Sequence, residues 1–138
     1  MMCRAVILVV MLWLHIFADY HLQGILAQMK QFSWWTERAK SDYDKYKDDY
    51  IQALLAHSFE WAFIVSLPLL YFLWKGGFEA APGAVYLVQL LGNTFVHSVI
   101  DDKKANRGEL NLMQDQRCHV YQIIATWAIW MFMMFLMG

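Results

Sequence analysis

The chain has 138 residues, of which 59% are hydrophobic and only 17% charged, against about 45–50% and about 25% in soluble domains. Seven Trp, seven Tyr, nine Phe and nine Met are more than so small a domain can bury, because short chains hide only about two-thirds of their surface; a second apolar phase, the lipid bilayer, is expected. Eleven Lys and Arg against twelve Asp and Glu leave a formal charge of −1, which excludes a basic face for nucleic acid, and two cysteines, Cys3 and Cys118, are too few for a disulfide framework or a thiolate zinc site.

In chain order, the first apolar run covers residues 5–29, and a bilayer core takes about 20 helical residues. Arg4 ahead of it would also suit a signal peptide, but no small-residue cleavage site follows. The run carries His15 and Asp19 four apart, with Gln23 at the next step. In the polar connection that follows, Trp35, Ala39, Tyr43, Tyr46 and Tyr50 recur at helical spacing. That stripe predicts an interfacial helix over about 34–50, either an anchor or a lid over a site. The second crossing, 51–74, holds His57 and Glu60, and Pro68 inside it predicts a kink. A tight connection leads to the third crossing, 82–101, with Gln89, Asn93, His97 and Asp101 at successive four-residue steps. The fourth crossing, 115–137, begins with Asp115, His119 and Gln122. Helices are expected because lipid offers no partner to open backbone groups, and these runs lack strict alternation. The expected fold is all-α: a single integral-membrane domain over 1–138, a four-helix bundle running up-down-up-down.

Antiparallel neighbours put both polar connections on one side. Lys30, Arg38, Lys40, Lys45, Lys47, Lys103, Lys104, Arg107 and Arg117 lie there, nine of the eleven basic residues. The positive-inside rule then makes the polar loops cytoplasmic and places both termini outside.

Ionisable residues inside apolar runs are expensive and mark functional sites. His15 with Asp19 and His97 with Asp101 end the first and third crossings, and Asp115 with His119 opens the fourth in reversed order. Residues four apart share a helix face, and the reversal is what an antiparallel partner requires. All three pairs, with His57, are therefore expected at one level on one side. Three ionised carboxylates about 6 Å apart would repel by about 3 kcal/mol per pair at an effective dielectric near 20, which a cation relieves. His15, Asp19, His57, His97, Asp101, Asp115 and His119 form a ligand pool for one or two divalent transition-metal ions, zinc, manganese or iron. Asp19, Asp101 and Asp115 are also the catalytic candidates, ligand and general base being left open. Gln23, Glu60, Asn93, Lys104, Gln116 and Gln122 are expected to orient them or bind water. A hydrogen-bonded polar belt and a proton or ion path are the alternative readings of the same residues.

The strings H-I-F-A-D-Y-H-L-Q from His15, H-S-V-I-D-D-K-K from His97 and D-Q-R-C-H from Asp115, with a lone His57 between them, carry a resemblance. The chain resembles a family of small bacterial and phage multi-pass membrane proteins known as a domain of unknown function. The match falls on His15, Asp19, Leu22, Gln23, His57, His97, Asp101, Lys104, Asp115, Gln116 and His119. It implies a multi-pass protein of the bacterial inner membrane and brings no activity with it. A looser likeness to membrane-bound metal-dependent hydrolases, also rich in intramembrane His and Asp, is an analogy. The expectation formed here is metal-dependent hydrolysis of a lipid-linked or amphiphilic substrate, a phosphoester among the forms it takes. Proton or metal-ion transport and a non-enzymatic accessory role stand as alternatives.

Overall fold

The computed structural model describes residues 4–39 and 42–137. Cys3, Lys40 and the side chains of Ala39 and Tyr43 lie outside it. The chain forms α1 (Arg4–Phe17), a π-helical turn (Ala18–Leu22), α2 (Leu26–Met29), α3 (Phe32–Ala39), α4 (Tyr43–Tyr46), α5 (Asp49–Val65), α6 (Leu67–Lys75), α7 (Ala80–Ala105) and α8 (Leu112–Met137), with no strand among the described residues. Three helical stretches there, Arg4–Leu22, Ala80–Ala105 and Leu112–Met137, are long and apolar enough to cross a membrane, and Asp44–Val65 with Leu67–Lys75 pass the same test as a pair bent by 50°.

The bend sits where the sequence puts it. Pro68 occupies the first turn of α6, where its missing N–H costs nothing, whereas inside a continuous helix its ring would clash with the preceding turn. The second apolar run is therefore two helices meeting at Ser66. The Ser66 hydroxyl donates back to the Ala62 carbonyl at 2.7 Å and lies 3.3 Å from the Tyr86 hydroxyl, so the break is tied to α7.

Two sequence expectations change. The first run leaves its helix at Leu22 rather than near Met29, because Gly24 takes a left-handed conformation with φ of 50°, which a residue without Cβ adopts at no steric cost. The chain folds back there, and Lys30 is buried. The aromatic stripe of the first polar connection is not one helix. Trp35 and Tyr46 would stand about 16 Å apart along a continuous helix, yet their rings stack at 6.4 Å. α3 and α4 fold against each other, with Phe32 packed on Tyr50 at the start of α5. The Trp35 indole N–H donates to the Met29 carbonyl at 2.7 Å, which fixes the turn that carries Lys30.

α5 packs most extensively on α7 and α7 on α8, while α1 contacts α5, α6 and α8. Ile7, Met11, Trp61, Leu69, Ile123 and Trp130 form the centre of the apolar core. The outer faces are apolar too: Phe95, Tyr121, Val88 and Phe135 are 67–73% exposed. Each such side chain would gain about 1.5–3 kcal/mol from leaving water, so this exterior suits lipid. The π-helical turn, the start of α5, the end of α7 and the start of α8 converge at one end of the molecule, and α2 closes over it.

Candidate metal centre

Six of the predicted ligands meet there. The side chains of Asp19, His57, His97, Asp101, Asp115 and His119 are all 4% exposed or less. Each sits where its helix directs it. His97 and Asp101 lie one turn apart on the buried face of α7, as do Asp115 and His119 on α8. Asp19 is carried by the π-helical turn, a widening of the helix that recurs at functional sites.

The contacts have a two-part pattern centred on Asp101. Its Oδ2 lies 3.3 Å from His57 Nε2 and 3.7 Å from His97 Nε2. Its Oδ1 lies 3.2 Å from His119 Nε2. On the first side, His57 Nε2 is also 3.3 Å from His97 Nε2 and 3.6 Å from Asp19 Oδ1. On the second, His119 Nε2 is 3.4 Å from Asp115 Oδ1. Ligands about 2.1 Å from a tetrahedral ion stand about 3.4 Å from one another, the spacing seen here. Three sets of donors, Asp19–His57–His97, His97–Asp101–His119 and Asp19–Asp115–His119, each keep their ligand atoms within 4.8 Å. These buried groups can hold a metal ion. Asp115 Oδ1 is buried without a hydrogen bond, which native interiors rarely leave so, and is an open ligand position.

His15 is placed differently. Its Nδ1 accepts the Trp61 indole N–H at 3.0 Å, so its Nε2 carries the proton and donates to Gln116 Oε1 at 3.1 Å. With both nitrogens engaged, His15 belongs to none of the three donor sets. It positions Gln116, whose amide N–H groups reach Asp19 Oδ2 at 2.7 Å and Asp115 Oδ2 at 3.2 Å. Gln23 completes the hold on Asp19, donating to Oδ1 at 2.9 Å.

The remaining expected helpers divide. Lys104 Nζ pairs with Asp115 Oδ2 at 2.7 Å. Asn93 and Gln122 bond to each other rather than to the ligands, with Thr126 joining Asn93 Oδ1 at 3.0 Å and Gln89 donating to the Thr126 carbonyl. Glu60 is half-buried on α5 and has no hydrogen bond or ion pair to any described residue. His21 is exposed and Cys118 half-buried, both apart from the cluster.

Three contributors escaped sequence reasoning. Trp61 floors the site, its ring stacked on His97 at 4.1 Å and 20°; its spacing of one turn from His57 was a signal. Lys30, 9% exposed, forms an ion pair with Asp101 Oδ2 at 2.5 Å. Asn106 donates to the Lys30 carbonyl at 3.1 Å and accepts the Phe32 N–H at 2.7 Å. Lys30 and Lys104 thus offset part of the carboxylate crowding, which sequence spacing alone left uncompensated. No family model, curated protein or solved structure matches this chain, so the chemistry rests on the site's own geometry.

Proposed function

We propose that the chain is a membrane-embedded, metal-dependent hydrolase of lipid-linked or amphiphilic phosphoesters, in which the buried His and Asp residues around Asp101 would hold two divalent ions. The observation that carries this reading is the Asp101 carboxylate, whose Oδ2 faces His57 and His97 and whose Oδ1 faces His119. In this reading the bent pair α5–α6 is one crossing, giving the four-helix, up-down-up-down bundle expected from the four apolar runs. The distribution of basic residues supports cytoplasmic polar loops.

Divalent ions held there would supply Lewis-acid stabilisation of charge developing on phosphate oxygens. The chain's own residues do the rest. Asp19, His57 and His97 would hold one ion, Asp115 and His119, with Asp19 within reach, the other, and Gln116 fixes the carboxylates Asp19 and Asp115 against each other. In the reaction a water oxygen bonds to phosphorus, the ester P–O bond breaks, and the alcohol leaves with a proton. Asp19, Asp101 and Asp115 are the carboxylates available to take the water proton and pass it to the leaving alcohol.

A second reading, conduction of protons or metal ions, draws on the polar row Asn93–Gln122–Thr126–Gln89 that continues from the site between α7 and α8. One experiment separates the two. Metal-loaded protein in mixed micelles, given lipid phosphates and lipid-linked sugar phosphates, should release phosphate or headgroup, lose this activity to a chelator and regain it on reloading. Absence of turnover together with metal-dependent cation flux in reconstituted vesicles would replace hydrolysis by transport, and silence in both assays would overturn both.

A further inference from the structure

Resting on the hydrolase reading, we infer that the site takes a phosphate monoester and that Lys30 and Lys104 bind its dianionic phosphate. Both ammonium groups already lie on carboxylates of the centre, Lys30 on Asp101 Oδ2, the oxygen that also faces His57 and His97, and Lys104 on Asp115 Oδ2, beside the open Oδ1. Metal ions and lysines therefore claim the same carboxylates. An ion on Asp101 Oδ2 would displace Lys30 from it, whereas an ion on Asp115 Oδ1 would leave Lys104 on Oδ2 and share its partner; both ammonium groups start beside the centre. The backbone that carries Lys30 is held in place. Its turn is pinned on three sides, by Asn106 on the Lys30 carbonyl, by the Phe32 N–H on Asn106, and by the Trp35 indole on the Met29 carbonyl. Its side chain is 9% exposed, and a buried ammonium without a counter-charge is costly.

Charge then selects the anion. The three carboxylates of the donor sets and the two lysines leave one net negative charge. Two divalent ions turn this into an excess of three positive charges. A phosphomonoester dianion answers most of that excess, a diester monoanion less, and a neutral carboxylic ester none of it. Lys104 is 34% exposed whereas the carboxylates are buried, so it is the group an entering headgroup meets first. Lys30 lies deeper and would close on the phosphate after it.

The test measures binding, not turnover. Metal content and affinity are determined together for the wild type, Lys30→Gln, Lys104→Gln and the double variant, using inorganic phosphate, decyl phosphate and methyl decyl phosphate as probes. Gln keeps a hydrogen bond to each carboxylate, and Lys30→Arg is the charge-preserving control. Wild-type protein should hold its metal and bind both dianions, and the diester at least 10-fold more weakly. Each Gln variant should keep its metal and lose about 10–100-fold in dianion affinity, the loss of one charge-assisted hydrogen bond. Lys30→Arg should recover most of the binding. Tight binding of decyl phosphate with weak binding of inorganic phosphate would assign the site to lipid headgroups, and equal binding to the free anion; both retain the monoester. Metal-loaded variants with unchanged dianion affinity would overturn this inference alone, whereas wild-type protein without metal would overturn the reading beneath it.

Discussion

Asp101→Asn should empty the site of metal, a larger loss than the about 10–100-fold that removal of an outer hydrogen-bonding partner costs a metal site. The amide keeps the shape but replaces the one charged group that faces His57, His97 and His119 together. It also leaves Lys30 buried without its carboxylate, and breaking such a pair costs about 3–5 kcal/mol. Stability and metal content would then fall together, and the single variant would not separate them. The double variant Asp101→Asn with Lys30→Met does. Removing the stranded ammonium should restore most of the thermal stability in detergent, while metal content stays near zero. A double variant that recovers both would make Asp101 a structural partner of Lys30 and nothing more.

His119→Gln should retain the fold, lower metal content from two ions to one, and abolish turnover. His119 is fully buried, lies 3.2 Å from Asp101 Oδ1 and 3.4 Å from Asp115 Oδ1, and stacks on His97 at 4.1 Å. Truncation to Ala would add a cavity beside His97 and Trp61, and comparable large-to-small core changes cost about 2–5 kcal/mol. Gln preserves much of the volume and a donor for one carboxylate, so its effect reads the site rather than the packing. The side formed by Asp19, His57 and His97 keeps its own donors and the Asp101 carboxylate beside them and should hold its ion. Full activity in His119→Gln, or loss of both ions, would refute the division into two sides.

The candidate site was legible in the sequence to the extent that helix periodicity is local. A four-residue step fixes a shared face, so the pairing of His97 with Asp101 and of Asp115 with His119 follows from spacing, as does the reversal on α8. Pro68 announced its break because the pyrrolidine constraint acts within one turn. What spacing does not carry is the partner across the interface. His15 shares the face of Asp19, yet Trp61 and Gln116 take both its nitrogens, and nothing in the first helix encodes that. Lys30 reaches Asp101 only because Gly24 folds the chain back; counted along the sequence, it reads as an ordinary loop lysine. The aromatic stripe misled for a related reason. Two short helices folded on each other share the periodicity of one long helix, and the ring stacking of Trp35 on Tyr46 is a tertiary contact.

The most direct measurement is elemental analysis of the protein purified in detergent, as isolated and after dialysis against zinc, manganese or iron. Two divalent ions per chain are predicted, with Asp101→Asn/Lys30→Met protein, folded to the same degree, holding none. Wild-type protein that stays folded without metal and takes up none of the three would contradict the account, leaving the buried His and Asp residues as a hydrogen-bonded belt.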